Sequence, residues 1–138
     1  MGILLEMFMN RWYVAHSRNG IVYVVDDDDN VRESTIALLK AAGIAARAYA
    51  SGGEFLTNLD ASASGCILLD LHMPFLSGFQ VLKALRKHGN RMPVILFSGR
   101  ADSTTDEIAK QSGAAALLPK PFSPTQLIET VRRLLPAG

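Results

Sequence analysis

Ile67-Leu68-Leu69-Asp70-Leu71-His72-Met73-Pro74 is the stretch on which the reading of the fold turns. Three consecutive apolar residues read as a strand buried on both faces, as in a parallel sheet covered by helices. Pro74 supplies no ladder N–H and restricts Met73 to extended geometry, so the strand stops near that point. Asp70 therefore stands at the carboxyl end of a buried strand, where open α/β sheets bind their ligands. An isolated aspartate in that position is usually a plain loop cap. The rest of the chain decides whether Asp70 is isolated.

Working outward, a β-branched and aromatic run from Ile21 to Val25 predicts the first strand. It ends in Asp26-Asp27-Asp28-Asp29-Asn30, which supplies helix N-caps and first-turn acids. Val31, Ile36, Leu38, Leu39 and Ala42 give the next segment an apolar helical face, which Gly43 terminates. Ile44 to Tyr49 is a weaker, alanine-rich strand suited to a sheet edge. Ser51 with Glu54 has capping-box spacing for a second helix, with Phe55, Leu56 and Leu59 inward. After the Asp70 strand, Ser77 or Gly78 opens a third helix with Phe79, Val81, Leu82 and Leu85 on its inner face. Val94-Ile95-Leu96-Phe97 forms a strand ending at Ser98-Gly99, and a short polar helix is expected around Asp106 to Gln111. Ala114 to Leu118 is the last strand, cut off by Pro119-Lys120-Pro121. Ser123-Pro124 starts a final helix facing inward through Leu127, Ile128, Val131, Leu134 and Leu135. Strands and helices that alternate at such short spacing require parallel strands and right-handed crossovers. The expected fold is a doubly wound three-layer α/β sandwich around a five-stranded parallel sheet.

Composition agrees. The 138 residues suit one domain, 49% are hydrophobic, 20% are charged, and the net charge is +1. No dominant basic patch argues for nucleic-acid binding by this segment. The single cysteine, Cys66, cannot form an internal disulfide and reads as a small core residue in a reducing, cytoplasmic setting. Residues 1–20 stand apart as an N-terminal extension, with the domain proper expected over 21–136. The extension is too short and too often interrupted to span a bilayer, and it lacks the marks of a signal peptide. Leu4, Phe8 and Trp12 would share one helical face, so a docking helix and a mobile extension both stay open.

Because the strands are parallel, their carboxyl ends open on one edge of the sheet. That edge gathers Asp26 and Asp27, Asp70, Ser98 and Lys120. Three carboxylates so close repel, each pair by roughly 4 kcal/mol at about 4 Å and a surface-like dielectric. Protonation or a divalent cation relieves this, and Mg2+ suits few carboxylates with room for water and a phosphoryl group. Lys120 adds a compact positive charge and Ser98 a hydroxyl. The set suits a carboxylate nucleophile that accepts a phosphoryl group. Taken singly, an acidic run is a helix cap, Ser-Gly a turn, and a lysine between prolines a surface charge. Taken together, those plain readings do not explain why four of the five strand ends carry such groups.

At residues 20–135 the chain resembles the receiver domain of two-component response regulators, the chemotaxis-regulator-like (CheY-like) fold. The likeness rests on Val22-Tyr23-Val24-Val25-Asp26-Asp27-Asp28, Val31-Arg32-Glu33-Ser34, Leu69-Asp70-Leu71-His72-Met73-Pro74, Ser77-Gly78 and Lys120-Pro121-Phe122, and points in particular to the nitrogen-fixation-regulator (FixJ) type. The resemblance implies strand order 2-1-3-4-5. It also implies that Asp70 is the phosphoacceptor, served by a sensor histidine kinase. Asp26, Asp27, Asp70 and the backbone carbonyl of His72 would hold Mg2+, and Ser98 and Lys120 would contact the phosphoryl group. Such a domain is no free-standing enzyme, having only intrinsic phosphotransfer and autodephosphorylation. In the family the Lys-Pro step is often cis. Phosphorylation there draws the hydroxyl residue inward, a switch aromatic follows, and the surface of helix 4, strand 5 and helix 5 changes. A homodimer formed on phosphorylation is the partner this implies.

One position departs from the pattern: Leu117 stands three residues before Lys120, where the family usually carries Tyr or Phe. The rotamer switch is thereby in question, the phosphorylation chemistry not. Two rivals remain. A haloacid-dehalogenase-like phosphohydrolase would use Asp26-Asp27-Asp28 as its nucleophile motif, but no acidic pair follows Lys120 and there is no room for a cap. A degenerate receiver would only bind proteins, against which the full set of polar residues argues.

Overall fold

The computed structural model describes residues 20–100 and 102–136; the expected N-terminal extension lies outside the described residues. Strands β1 (Ile21–Val25), β2 (Ala46–Tyr49), β3 (Gly65–Asp70), β4 (Val94–Ser98) and β5 (Ala116–Pro119) alternate with five helices. These are α1 (Asp29–Ala41), α2 (Gly52–Asn58), α3 (Gly78–Lys87), α4 (Ser103–Gln111) and α5 (Pro124–Leu134). The sheet order is β2-β1-β3-β4-β5, and every neighbouring pair is parallel.

Strand parity sorts the core. Tyr23, Val25, Ile67, Leu69, Val94 and Leu96 pack on one face with Phe55 of α2, Val81, Leu82 and Leu85 of α3, and Ala109 of α4. Val22, Val24, Cys66, Leu68, Ile95, Phe97 and Leu118 pack on the other with Leu39 of α1 and Leu127 and Val131 of α5. All six residues of β3 are buried, so the central strand shows no polar alternation. The edge strand β2 is half-exposed throughout, as its alanine-rich sequence suggests.

Local chemistry sets the helix starts. Asp28, Ser51, Ser77, Asp102 and Ser123 are the N-caps, each side chain accepting backbone N–H groups of the first turn. Strands β2 and β5 start at Ala46 and Ala116 rather than at Ile44 and Ala114, and two helix starts differ in detail. The spacing at Ser51 predicts a capping box, but Glu54 reaches back to the Ala50 N–H instead of that of Ser51. Helix α4 begins at Ser103 rather than near Asp106, because Asp102 takes the Thr105 N–H at 2.7 Å and nucleates the turn earlier. Gly78 matters for the site: a Cβ there would lie 2.6 Å from the Asp70 carbonyl oxygen. Its absence lets the start of α3 close against the end of β3, with Gly78 N–H donating to Leu71 O at 3.0 Å.

Candidate functional site

Register carries the polar residues to one edge. Val25 lies beside Leu69, Asp70 beside Phe97, and Ser98 beside Pro119, so the chain continues from each strand at a common level. Asp26 is fully buried, Asp70 is 3% exposed and Ser98 1%, whereas Asp27 is open to solvent. Lys120 reaches across from beyond β5. Its Nζ lies 3.1 Å from Asp26 Oδ2 and 3.3 Å from Asp70 Oδ1. The Lys120–Pro121 peptide bond is cis, as the resemblance implies.

Two carboxylates and one ammonium leave the site with one negative charge in excess. Burial raises the Asp70 pKa and the Asp26 charge raises it further, against the His72 N–H and Lys120, leaving it pushed up to about 6. Burial would lower the Lys120 pKa, but Asp26 and Asp70 together outweigh that and raise it. One acceptor stays unfilled. Asp26 Oδ2 is buried and accepts no hydrogen bond, the Lys120 ammonium 3.1 Å away being its ion-pair partner. One carboxylate oxygen each from Asp26, Asp27 and Asp70 lies within 4.8 Å of the others. An orphaned buried oxygen in an all-oxygen cluster fits a hard divalent cation.

The surrounding backbone holds these groups in place. Asp26 Oδ1 accepts the Asp28 N–H at 2.9 Å, and Asp70 Oδ1 accepts the His72 N–H at 3.2 Å. Asp28 itself is the α1 N-cap, which leaves Asp26 and Asp27 as the site's acidic pair. Behind Lys120 is an aromatic wall: its Nζ sits 4.8 Å from the Phe97 ring centroid, and Phe122 meets Phe97 edge-on at 6.0 Å.

All five expected side chains thus reach the edge, but Ser98 does not point as expected. Its Oγ accepts the Arg100 N–H at 3.0 Å and lies 3.1 Å from His72 Nε2, with no hydrogen bond to Asp70 among the described residues. Sequence reasoning assigns His72 a metal-binding backbone carbonyl and a position flanking the pocket, but nothing local signals that its ring spans to β4. Arg32 is the other unforeseen contributor, donating from Nη1 to the Asp26 carbonyl at 2.9 Å. Leu117 is half-buried against the core on the α2–α3–α4 side, away from Phe97 and Phe122. Phe75, on the loop after Pro74, is fully exposed with φ +69°, a left-handed conformation that costs a bulky side chain energy.

Comparison with known proteins agrees with this geometry. Residues 22–132 match the family model of the response regulator receiver domain. The transcriptional regulatory protein FixJ of Azorhizobium caulinodans is 40% identical over 114 residues, covering 83% of this chain and 54% of that protein. The response regulator protein TodT of Pseudomonas putida is 33% identical over 118 residues, covering 86% of this chain and 52% of TodT. The chain therefore spans about half the length of these curated relatives. The receiver domain of Francisella response regulator 1452 superposes with a TM-score of 0.79 at 31% identity, covering 84% of this chain and 96% of that one.

Proposed function

The chain belongs to the response regulator receiver domain family of two-component systems, and from that premise we propose that Asp70 is its phosphoacceptor. The observation that carries this is Lys120 Nζ standing between two buried carboxylates, 3.1 Å from Asp26 and 3.3 Å from Asp70. Asp70 lies at the end of the central strand, with its other contact a single backbone N–H.

Asp26, Asp27, Asp70 and the His72 backbone carbonyl would hold Mg2+. When bound, that ion would neutralise charge on the carboxylates and on the transferring group. An Asp70 oxygen forms the new bond to phosphorus as the bond to the donor's imidazole nitrogen breaks, and that nitrogen keeps the electron pair. Charge spreads over the three equatorial phosphoryl oxygens in such a transfer. Lys120 is positioned to face one of them and Ser98 to donate to another once its hydroxyl turns. Asp26 keeps Lys120 charged and aimed, and Arg32 fixes the backbone that carries Asp26.

The receiver unit runs over 21–136, and its donor is a sensor histidine kinase. No helix of the described residues is long and apolar enough to cross a membrane. The proposed place of action is the cytoplasm, where a receiver meets its kinase. Output passes through the α4–β5–α5 face to a second copy of the domain. The phosphorylated form decays by intrinsic hydrolysis.

The test is phosphorylation with Mg2+ and a small phosphodonor, followed by peptide mapping in a mass spectrometer. One acid-labile phosphate on Asp70 is expected. Phosphate on Asp26 or Asp28 instead would make the chain a phosphohydrolase, and none at all a binding module.

A further inference from the structure

We propose that the His72 side chain is a latch on Ser98, holding the hydroxyl in its resting position and setting how readily the activated state forms. The inference rests on the phosphoacceptor role argued for Asp70, and it goes beyond that role. Ser98 Oγ is buried at the end of β4 and has three polar neighbours. The Arg100 N–H donates to it at 3.0 Å, the Arg100 carbonyl lies at 3.4 Å, and His72 Nε2 lies at 3.1 Å. Two of the three belong to the chain just beyond Ser98 itself and move with it. Among the described residues only the imidazole, from the loop between β3 and α3, reaches the Ser98 hydroxyl from elsewhere in the chain, the Lys120 N–H bonding the Ser98 carbonyl instead at 2.8 Å.

His72 is placed to do this because one residue touches both reacting partners. Its backbone N–H donates to Asp70 Oδ1 at 3.2 Å while its ring spans to Ser98. Either ring tautomer makes the contact: an unprotonated Nε2 accepts the hydroxyl proton, and a protonated one donates to Oγ. In the first case the bond must break before the hydroxyl proton can go to a phosphoryl oxygen; in the second it breaks only when Oγ itself turns toward the phosphoryl group. Without the ring, the hydroxyl keeps only the long contact to the Arg100 carbonyl as an acceptor. A buried hydroxyl left so poorly satisfied favours any state that offers it a better acceptor.

A neutral hydrogen bond of this kind shifts an equilibrium by roughly threefold to tenfold when one partner is removed. Beryllofluoride with Mg2+ serves as the probe, its binding followed by fluorine NMR or calorimetry. His72→Ala should bind beryllofluoride roughly threefold to tenfold more tightly than the parent. His72→Gln, whose amide can still reach Ser98, should return close to the parent affinity. In a Ser98→Ala background, His72→Ala should change the affinity by no more than experimental error, since the latch has nothing to hold. An unchanged or weakened affinity in His72→Ala overturns the latch. So does an equal gain in the Ser98→Ala background, which would show that the ring acts by bulk alone. Absence of beryllofluoride binding in the parent, or equal binding by Asp70→Asn, overturns the functional reading and the latch with it.

Discussion

The two edges of the sheet are built from the same five strands and treat buried polar groups in opposite ways. At the amino edge, where β1, β3 and β4 begin, polar groups find partners. Arg86 Nη1 donates to the carbonyls of Asn90 at 3.1 Å and Met92 at 2.9 Å, closing the turn into β4. Gly65, at φ +144°, lets the β1 and β3 backbones meet where a Cβ would overlap the Ile21 carbonyl oxygen. At the carboxyl edge a buried carboxylate oxygen goes without a hydrogen bond, Asp70 is pushed up to about 6, and Phe75 holds a costly left-handed conformation. One edge is packed for stability. The other stores unfavourable charge that a phosphoryl group and a cation would relieve.

The largest expected break in that comparison comes from Asp70→Asn, which should abolish phosphate uptake and yet stabilise the metal-free fold. A raised carboxyl pKa means that folding penalises the ionised form. The penalty is present in full above about 6, shrinks as the pH falls below that value, and is gone only below the ordinary carboxyl value of 3.8, where both states are protonated. The variant should therefore exceed the parent by about 1–3 kcal/mol at pH 7, allowing for the lost attraction to Lys120. By about pH 3 the two should converge. Urea unfolding in EDTA at both pH values reads this, and a variant less stable at pH 7 would mean that Asp70 is well accommodated.

Gly65→Ala should do the reverse. It should cost about 2–4 kcal/mol of stability through strain and overlap, with phosphate uptake per folded molecule intact. Denaturant midpoints and a phosphorylation assay on the same sample separate the two effects. Within the acidic run, Asp27→Ala should weaken Mg2+ binding about tenfold or more, whereas Asp29→Ala should leave it alone. The rise in melting temperature with added Mg2+ measures both. Equal effects would place the cation elsewhere in the run.

Smaller effects sharpen the contrast. Phe75→Gly should gain about 1 kcal/mol in thermal unfolding, because glycine adopts the left-handed region without the steric cost. Leu117→Phe probes output. Leucine has less bulk to transmit a movement of Ser98, so the parent should dimerise only modestly with beryllofluoride and the variant more strongly. The coupling in the parent is expected to fall below the roughly 1–3 kcal/mol usual for allosteric linkage. Light scattering at matched concentrations distinguishes them, and strong dimerisation of the parent, unimproved by phenylalanine, would make the missing ring irrelevant.

Much of this molecule was legible before any coordinates. The apolar run into Asp70, the prolines at 93 and 119, and the caps at Asp28, Ser51, Ser77 and Ser123 are local signals, and each stands at an element boundary in the structure. Helix α4 was harder because its cap, Asp102, precedes a polar sequence with little apolar periodicity. Within the acidic run, Asp26, Asp27 and Asp28 are chemically alike, so residue type alone does not separate the metal pair from the cap. Their fates diverge because one is buried by the strand, one is open to solvent beside the site, and one caps α1.

Local sequence was enough to set the alternation of strands and helices, the gathering of acids, hydroxyl and lysine at strand ends, and hence the chemistry on offer. Those properties follow from periodicity and from where a strand must stop, both fixed within a few residues of chain. Tertiary structure alone decided that Lys120 bridges Asp26 and Asp70, that Arg32 braces the Asp26 carbonyl, and that His72 turns to Ser98. Lys120 and His72 reach partners dozens of residues away, where strand register, loop path and rotamer together set separations of about 3 Å. Arg32 depends on how α1 leans against the end of β1. An error of one residue in register, or one wrong rotamer, would undo each contact without altering any local signal.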